Sequence, residues 1–369
     1  MDSRVTKMAQ VLINYSTAVQ PGERVLIRAT SPAAEPLVQA LYQETLRAGG
    51  QPVPYIQLRN EDMLALETTA GAGQLSAVNP MLKLMYETAE VVIRIEASEN
   101  VRALSDYRQD LQQARAKAWS SLIQIQMERE GNGSLRRCTT LFPTQAYAQS
   151  AGMSLYQYET FVYEACKVHL ADPVAAWRDM EARQQKLVDY LDGKEHLQVR
   201  GQNIDLTMSI AGRQFKNACG RANFPDGEIF TGPVEESVNG WVNFTYPATF
   251  SGNEVIGVRL KFEDGLVTEA SAERNEEFLL SALDIDAGAR RLGEFAIGTN
   301  EDIQRFSGAI LFDEKIGGTV HMALGQGYPQ TGSLNTSALH WDMICDMRDG
   351  GEIVVDGKLF YKDGKFLEE

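Results

Sequence analysis

Two of the four histidines in this 369-residue chain, His321 and His340, fall in its glycine-rich final third. His340 stands in SALHWDMI, and if that apolar stretch is a strand, side chains two apart share a face, so His340 and Asp342 project together. An imidazole and a carboxylate side by side are half of a metal site suited to Zn, Mn, Co or Fe. Taken alone, H-x-D is also what a surface strand with two polar residues facing water looks like. His321, in KIGGTVHMALGQGYP, ends a short strand-like run that enters a glycine-rich loop. No GxxxxGK[ST] is present and the glycines do not fit GxGxxG, so the loop is not a phosphate cradle. A lone histidine in such a place is more often a satisfied core residue than a ligand.

Two carboxylates are candidates to complete a set. Glu228 follows an Asp-Gly turn in NFPDGEIFTGPVEE, and Glu294 lies between two glycines in GARRLGEFAIGTN. Both stand where turns can aim a side chain inward. Glu235 and Glu236 compete with Glu228 for any role, and spacing alone does not choose among them.

The elements that would position these residues fall into two patterns. The first half alternates: an apolar run Arg24–Ala29, a helical stretch through Leu37, Leu41 and Leu46 stopped at Gly49-Gly50, and further runs at 53–58, 91–95 and 135–142. That alternation predicts an α/β domain with a mainly parallel sheet. From Met153 the pattern turns helical, with His169 continuing the stripe of Leu155, Tyr158, Val162 and Ala165. Asp172-Pro173 reads as an N-cap with proline at the first helical position, opening a helix that closes near Gly193. Beyond it Ile204, Leu206, Met208 and Ile210 alternate with polar residues, and glycines punctuate the chain as turns between antiparallel strands do. The predicted organisation is an α/β domain over 1–192 and a strand-rich α+β, metal-binding domain over 193–369.

Bulk properties exclude several function classes. The formal charge of −15 disfavours nucleic acid and anionic membrane as partners, because phosphate contacts need a cationic surface, and it tolerates a cationic ligand such as a peptide amino terminus. The N-terminus, with Val5, Met8, Leu12 and Tyr15 at helical spacing among charged residues, reads as an amphipathic helix and not a signal peptide. No uncharged apolar run nears the roughly 20 residues needed to span a bilayer, so the expected location is cytoplasmic. The four separated cysteines read as packing residues, and neither His169 nor His196 is assigned a role.

What chooses among the acids is resemblance. NFPDGEIFTGP, LGEFAIGTN, FDEKIGGTVHMALG and SALHWDMICDMRDGGEIVVDG, in that order, resemble the metallo-aminopeptidases of the aminopeptidase T and aminopeptidase S type, and PGERVLIRAT is similar to that family's first strand. Carried over residue by residue, the resemblance implies metal ligands at Glu228, Glu294, His321, His340 and Asp342 and a catalytic tyrosine at Tyr328. It implies two divalent ions per chain (Zn, Co or Mn), peptide substrates with a free amino terminus, and a homodimer; five such ligands suit two ions with one carboxylate, Glu294 being the candidate, bridging them. It also places Glu314 near the site, either supporting a ligand or handling a proton, without fixing which. Two other readings stand beside it: a one-iron, ring-cleaving dioxygenase on the same fold, for which His321, His340 and Asp342 alone suffice, and a non-enzymatic peptide-binding protein.

Overall fold

Arg24–Ala29 and Val91–Glu96 carry the apolar runs that buried parallel strands need, and in the computed structural model they pair in parallel, with the more polar Arg136–Leu141 beside Val91–Glu96. Gln51–Ile56 joins them at one edge. Its Pro52 and Pro54 lack an N–H, which suits an edge and would break an interior ladder. At the other edge the two-residue strand Asn223–Phe224 pairs in parallel with Thr139–Thr140. The structure describes residues 2–69, 71–104 and 107–367.

The chain divides into two compact units, Met1–Trp177 with Gly220–Pro225, and Arg178–Cys219 with Asp226–Glu369. The helix opened by Asp172 forms as expected over Pro173–Leu191, with Asp172 Oδ1 accepting from the Ala175 amide at 3.0 Å. The division falls inside that helix and not at 192/193, and a short segment returns to the first unit because it supplies the fifth parallel strand. His169 is not on a helix: the preceding helix is Leu155–Ala165, Lys167 turns left-handed at φ 58°, and His169 is exposed beyond it. All four cysteines are buried thiols outside any disulfide. Among the described residues no helix is long and apolar enough to cross a membrane.

In the second unit an eight-stranded and a five-stranded sheet contribute to one apolar cluster. Leu206, Val242 and Leu260 come from the first sheet, and Ile229, Phe295, Met322 and Met343 from the second. The five-stranded sheet runs, in spatial order, His340–Asp346, Thr319–Gly325, Leu292–Gly298, Glu228–Thr231 and Lys216–Ala218, with every pairing antiparallel. Period-two alternation sends Val320, Met322 and Leu324 into the cluster and His321 to the opposite face; Trp341, Met343 and Cys345 go inward, and His340 and Asp342 outward.

Glu294 obeys this scheme only because its strand is interrupted. Leu292 and Phe295 are both in the apolar cluster although three residues apart, and the register shifts between Leu292 and Glu294. The bulge at Gly293 inserts one residue and returns Glu294 to the polar face. Gly293 is also closely packed, since a Cβ there would lie 2.3 Å from the carbonyl oxygens of Gly325 and Gln326. Gly293→Ala is therefore expected to destabilise the fold by about 1–3 kcal/mol. Gly73→Ala, on a helix with open space around the added methyl, should be neutral or raise stability by up to about 1 kcal/mol. Urea midpoints of the two variants check the contrast.

Candidate metal centre

Four neighbouring strands bring the predicted ligands to one face of the five-stranded sheet. Glu228 opens its strand directly after Gly227, whose φ of 134° makes the turn. Glu294, expected in a turn, lies within a strand and owes its direction to the bulge. Across the sheet Glu228 is level with Gly298, Glu294 with Ala323, Ala323 with Asp342, His321 with Ala296, and Gly325 with His340. Each acid or imidazole thus has a small residue beside it, which leaves room above the sheet.

His321 Nε2 stands 3.2 Å from Glu228 Oε2 and 3.8 Å from Glu294 Oε1. His340 Nε2 stands 3.6 Å from Glu294 Oε2 and 3.5 Å from Asp342 Oδ2. His340 Nδ1 lies 2.8 Å from the carbonyl oxygen of Gln326. As the Nδ1–H donor it leaves Nε2 with a lone pair toward the acids, the orientation a ligand histidine needs. Potential donor atoms gather within 4.8 Å of one another in three groups, Glu228–Glu294–His321, Glu294–His340–Asp342 and Glu314–His321–Asp342.

Tyr328 stands beside this cluster. Its ring centroid is 5.4 Å from that of His340 and 5.4 Å from that of Phe230. The loop that carries it is anchored by Glu235, whose Oε2 pairs with Arg213 at 2.5 Å and whose Oε1 accepts from the Leu334 amide at 2.6 Å. Glu235 is thus committed to the loop, and Glu236 is exposed with its nearest cation, Arg291, at 3.6 Å. Neither rival reaches the donor groups.

Sequence reasoning missed Lys315 and Asp226. Lys315 is almost completely buried, with Nζ 2.7 Å from Glu228 Oε1 and 3.7 Å from Asp226 Oδ1, and in contact with Glu314. A lysine following an acid in a glycine-rich stretch reads as a solvated pair, and only a burial signal could have singled it out. Gln184, on the Pro173–Leu191 helix, steadies the Glu228 strand by donating Nε2 to the Glu228 carbonyl at 2.9 Å.

Burial raises the Glu228 carboxyl, against the pull of Lys315 and His321, to about 8. Burial opposes charge on His321, but Glu228 and Glu294 outweigh it and raise the ring to about 9. Asp342 is pushed up to about 6 by burial and by Glu314. Burial also resists charge on His340, which Asp342 and Glu294 overcome, raising it. For Glu314 burial is overcome by Lys315 and His321, leaving it below its ordinary value. The Tyr328 phenol is driven far upward by burial, then by Glu294 and Asp342, so it stays a donor.

The donor set fits divalent cations. Glu228 Oε2 and His321 Nδ1 are buried without a hydrogen-bond partner, a condition that costs stability unless something compensates it. The mixture of carboxylate oxygens and imidazole nitrogens suits Zn, Co or Mn.

A pH test follows for metal-free protein. Glu228 rises from 4.5 to about 8 and His321 from 6.5 to about 9, so in both the folded chain holds its proton more tightly than the unfolded chain does. The stability each contributes is complete below its unfolded value and is lost as pH climbs through the folded one. Chelated protein is expected to show a falling Tm from pH 5 to pH 9, and added divalent metal to restore it most at the alkaline end. Thermal scans with and without EDTA across that range would expose the opposite slope.

Comparison with known proteins places this geometry. The chain is similar to Aminopeptidase 2 of Geobacillus stearothermophilus, 28% identical over 408 residues that take in 99% of this chain and 95% of that one. It is 35% identical to Aminopeptidase T of Thermus aquaticus over 182 residues, 46% of this chain and 45% of the relative. The fold matches wild-type AmpT from Thermus thermophilus with a TM-score of 0.84 at 23% identity, covering 99% of both chains. It matches 2,5-dihydroxypyridine dioxygenase from Pseudomonas putida with a TM-score of 0.60 at 13% identity, covering 99% of this chain and 97% of that one. The model of one family spans residues 1–366, and by that match the chain belongs to the thermophilic metalloproteases of family M29.

Proposed function

We propose that this chain is an aminopeptidase that releases the N-terminal residue of a peptide with two divalent ions held by Glu228, Glu294, His321, His340 and Asp342. The observation that carries the two-ion reading is Glu294, whose Oε1 faces His321 and whose Oε2 faces His340, so that one carboxylate belongs to two donor groups. Ions held by these residues would supply Lewis-acid chemistry, making a water nucleophilic near neutral pH and polarising the scissile carbonyl.

The chain's own groups account for the rest. Glu314, lying with His321 and Asp342, accepts the proton of the attacking water and passes it to the leaving amine. Tyr328 donates its hydroxyl hydrogen to the oxyanion that develops on the carbonyl, a contact stronger in the transition state than in the ground state. The acids attract the substrate's free ammonium and so favour the chain end. A homodimer, as the resemblance implies, and a cytoplasmic location belong to the same proposal.

Exhaustive chelation is expected to abolish hydrolysis of an aminoacyl-p-nitroanilide, and Zn, Co or Mn to restore it; activity that survives EDTA would sink the proposal. His340→Ala should lose both metal and turnover. Tyr328→Phe should keep its metal content and lose about 10²–10³-fold in kcat, the scale of one oxyanion donor. Metal analysis separates the dioxygenase reading, which needs one iron and no second carboxylate such as Glu228, from hydrolysis with two ions per chain.

A further inference from the structure

Lys315 has only 1% of its side chain exposed, and its ammonium faces three carboxylates, Asp226, Glu228 and Glu314. An ammonium has three N–H donors and no acceptor; Glu228 and Glu314 accept from it, and Asp226 at 3.7 Å adds a third opposite charge. Its backbone is held as well: Lys315 N donates to Phe312 O at 3.0 Å and Lys315 O accepts from Asn300 N at 3.1 Å. The side chain therefore enters the site from a fixed point. The consequence for Glu228 is asymmetric. Oε1 receives the lysine at 2.7 Å, while Oε2 has no hydrogen-bond partner and stands 3.2 Å from His321 Nε2.

We propose that Lys315 is a positioning residue that selects which carboxylate oxygens the site presents: by occupying Oε1 of Glu228 and of Glu314 it makes Glu228 a one-oxygen ligand through Oε2. The inference rests on the metal-centre reading above. Carboxylates bind cations through one oxygen or both. For Glu228 to use both, the buried ammonium would lose a partner it cannot replace with water, so chelation is strongly disfavoured. The same cation touches Glu314, which fixes the proton carrier relative to the ligand. Lys315 thus keeps the coordination number low, which leaves a position open for water and substrate.

The test is the visible absorption of the Co²⁺-loaded protein, because d–d bands weaken as coordination number rises. Wild type should bind Co²⁺ in stoichiometric amounts. In Lys315→Met, Glu228 is released to close on the ion with both oxygens, and the absorbance per bound Co²⁺ should fall at least about twofold. Unchanged absorbance per bound ion overturns the inference, and a merely structural lysine predicts that result. If the variant does not fold, a crystal structure of metal-loaded wild type decides: Glu228 bound through Oε2 alone, with Oε1 on Lys315 Nζ, supports the assignment, and two-oxygen binding overturns it. Wild type that binds no Co²⁺ would instead remove the underlying metal-centre reading.

Discussion

The constraint on which the second unit depends is the burial of like charge. Glu228, Glu294, Glu314 and Asp342 converge on one sheet face with Asp226 close behind, and carboxylates taken from water repel one another unless cations or protons meet them. One cation, Lys315, is built in. Two imidazoles hold protons above their ordinary range for the same reason, and Glu228 and Asp342 are raised toward neutrality. Divalent ions would relieve what protonation relieves in their absence, so metal, proton and fold compete on the same atoms. The apolar cluster on the opposite face of the sheet supplies the rigid backing that keeps these repelling groups together.

Much of this was legible in the sequence where a local rule applies. H-x-D on a strand is a statement about two residues and a period of two, and His340 and Asp342 do share a face. The first four strands of the parallel sheet were readable because each precedes a helix, whereas the two-residue Asn223–Phe224 gives no such pattern. Glu294 was not readable from pattern, because the bulge at Gly293 breaks the alternation by which strands are read, and the bulge is set by pairing with a strand about thirty residues away. Resemblance supplied that residue, as it supplied Glu228. Lys315 escaped both routes, since nothing in a glutamate-lysine pair announces that it is buried. His169 went astray for a local reason: Lys167 adopts a left-handed conformation that helix periodicity cannot foresee.

The fold is shared with AmpT and with a 2,5-dihydroxypyridine dioxygenase, and architecture of this kind does not by itself fix function. The sheet offers a row of outward positions, and the small residues Ala296, Ala323, Gly298 and Gly325 keep the space above them clear. Which outward positions carry acids decides how many ions can be held.

The bulge has a consequence for how this strand can vary. It divides Leu292–Gly298 into two arms that display opposite parities, so the arm before Gly293 is answerable only to the apolar interior while the arm after it answers to the site as well. Pairing Gly293 into the ladder without the bulge would turn the later arm over, carrying Glu294 into the interior and Phe295 out, whereas deleting the extra residue would leave Glu294 directly after Leu292 and still outward. The geometry of the centre is thereby tied to a register: loss of the bulge with its residue retained would act as a switch where a substitution elsewhere would act as a dial.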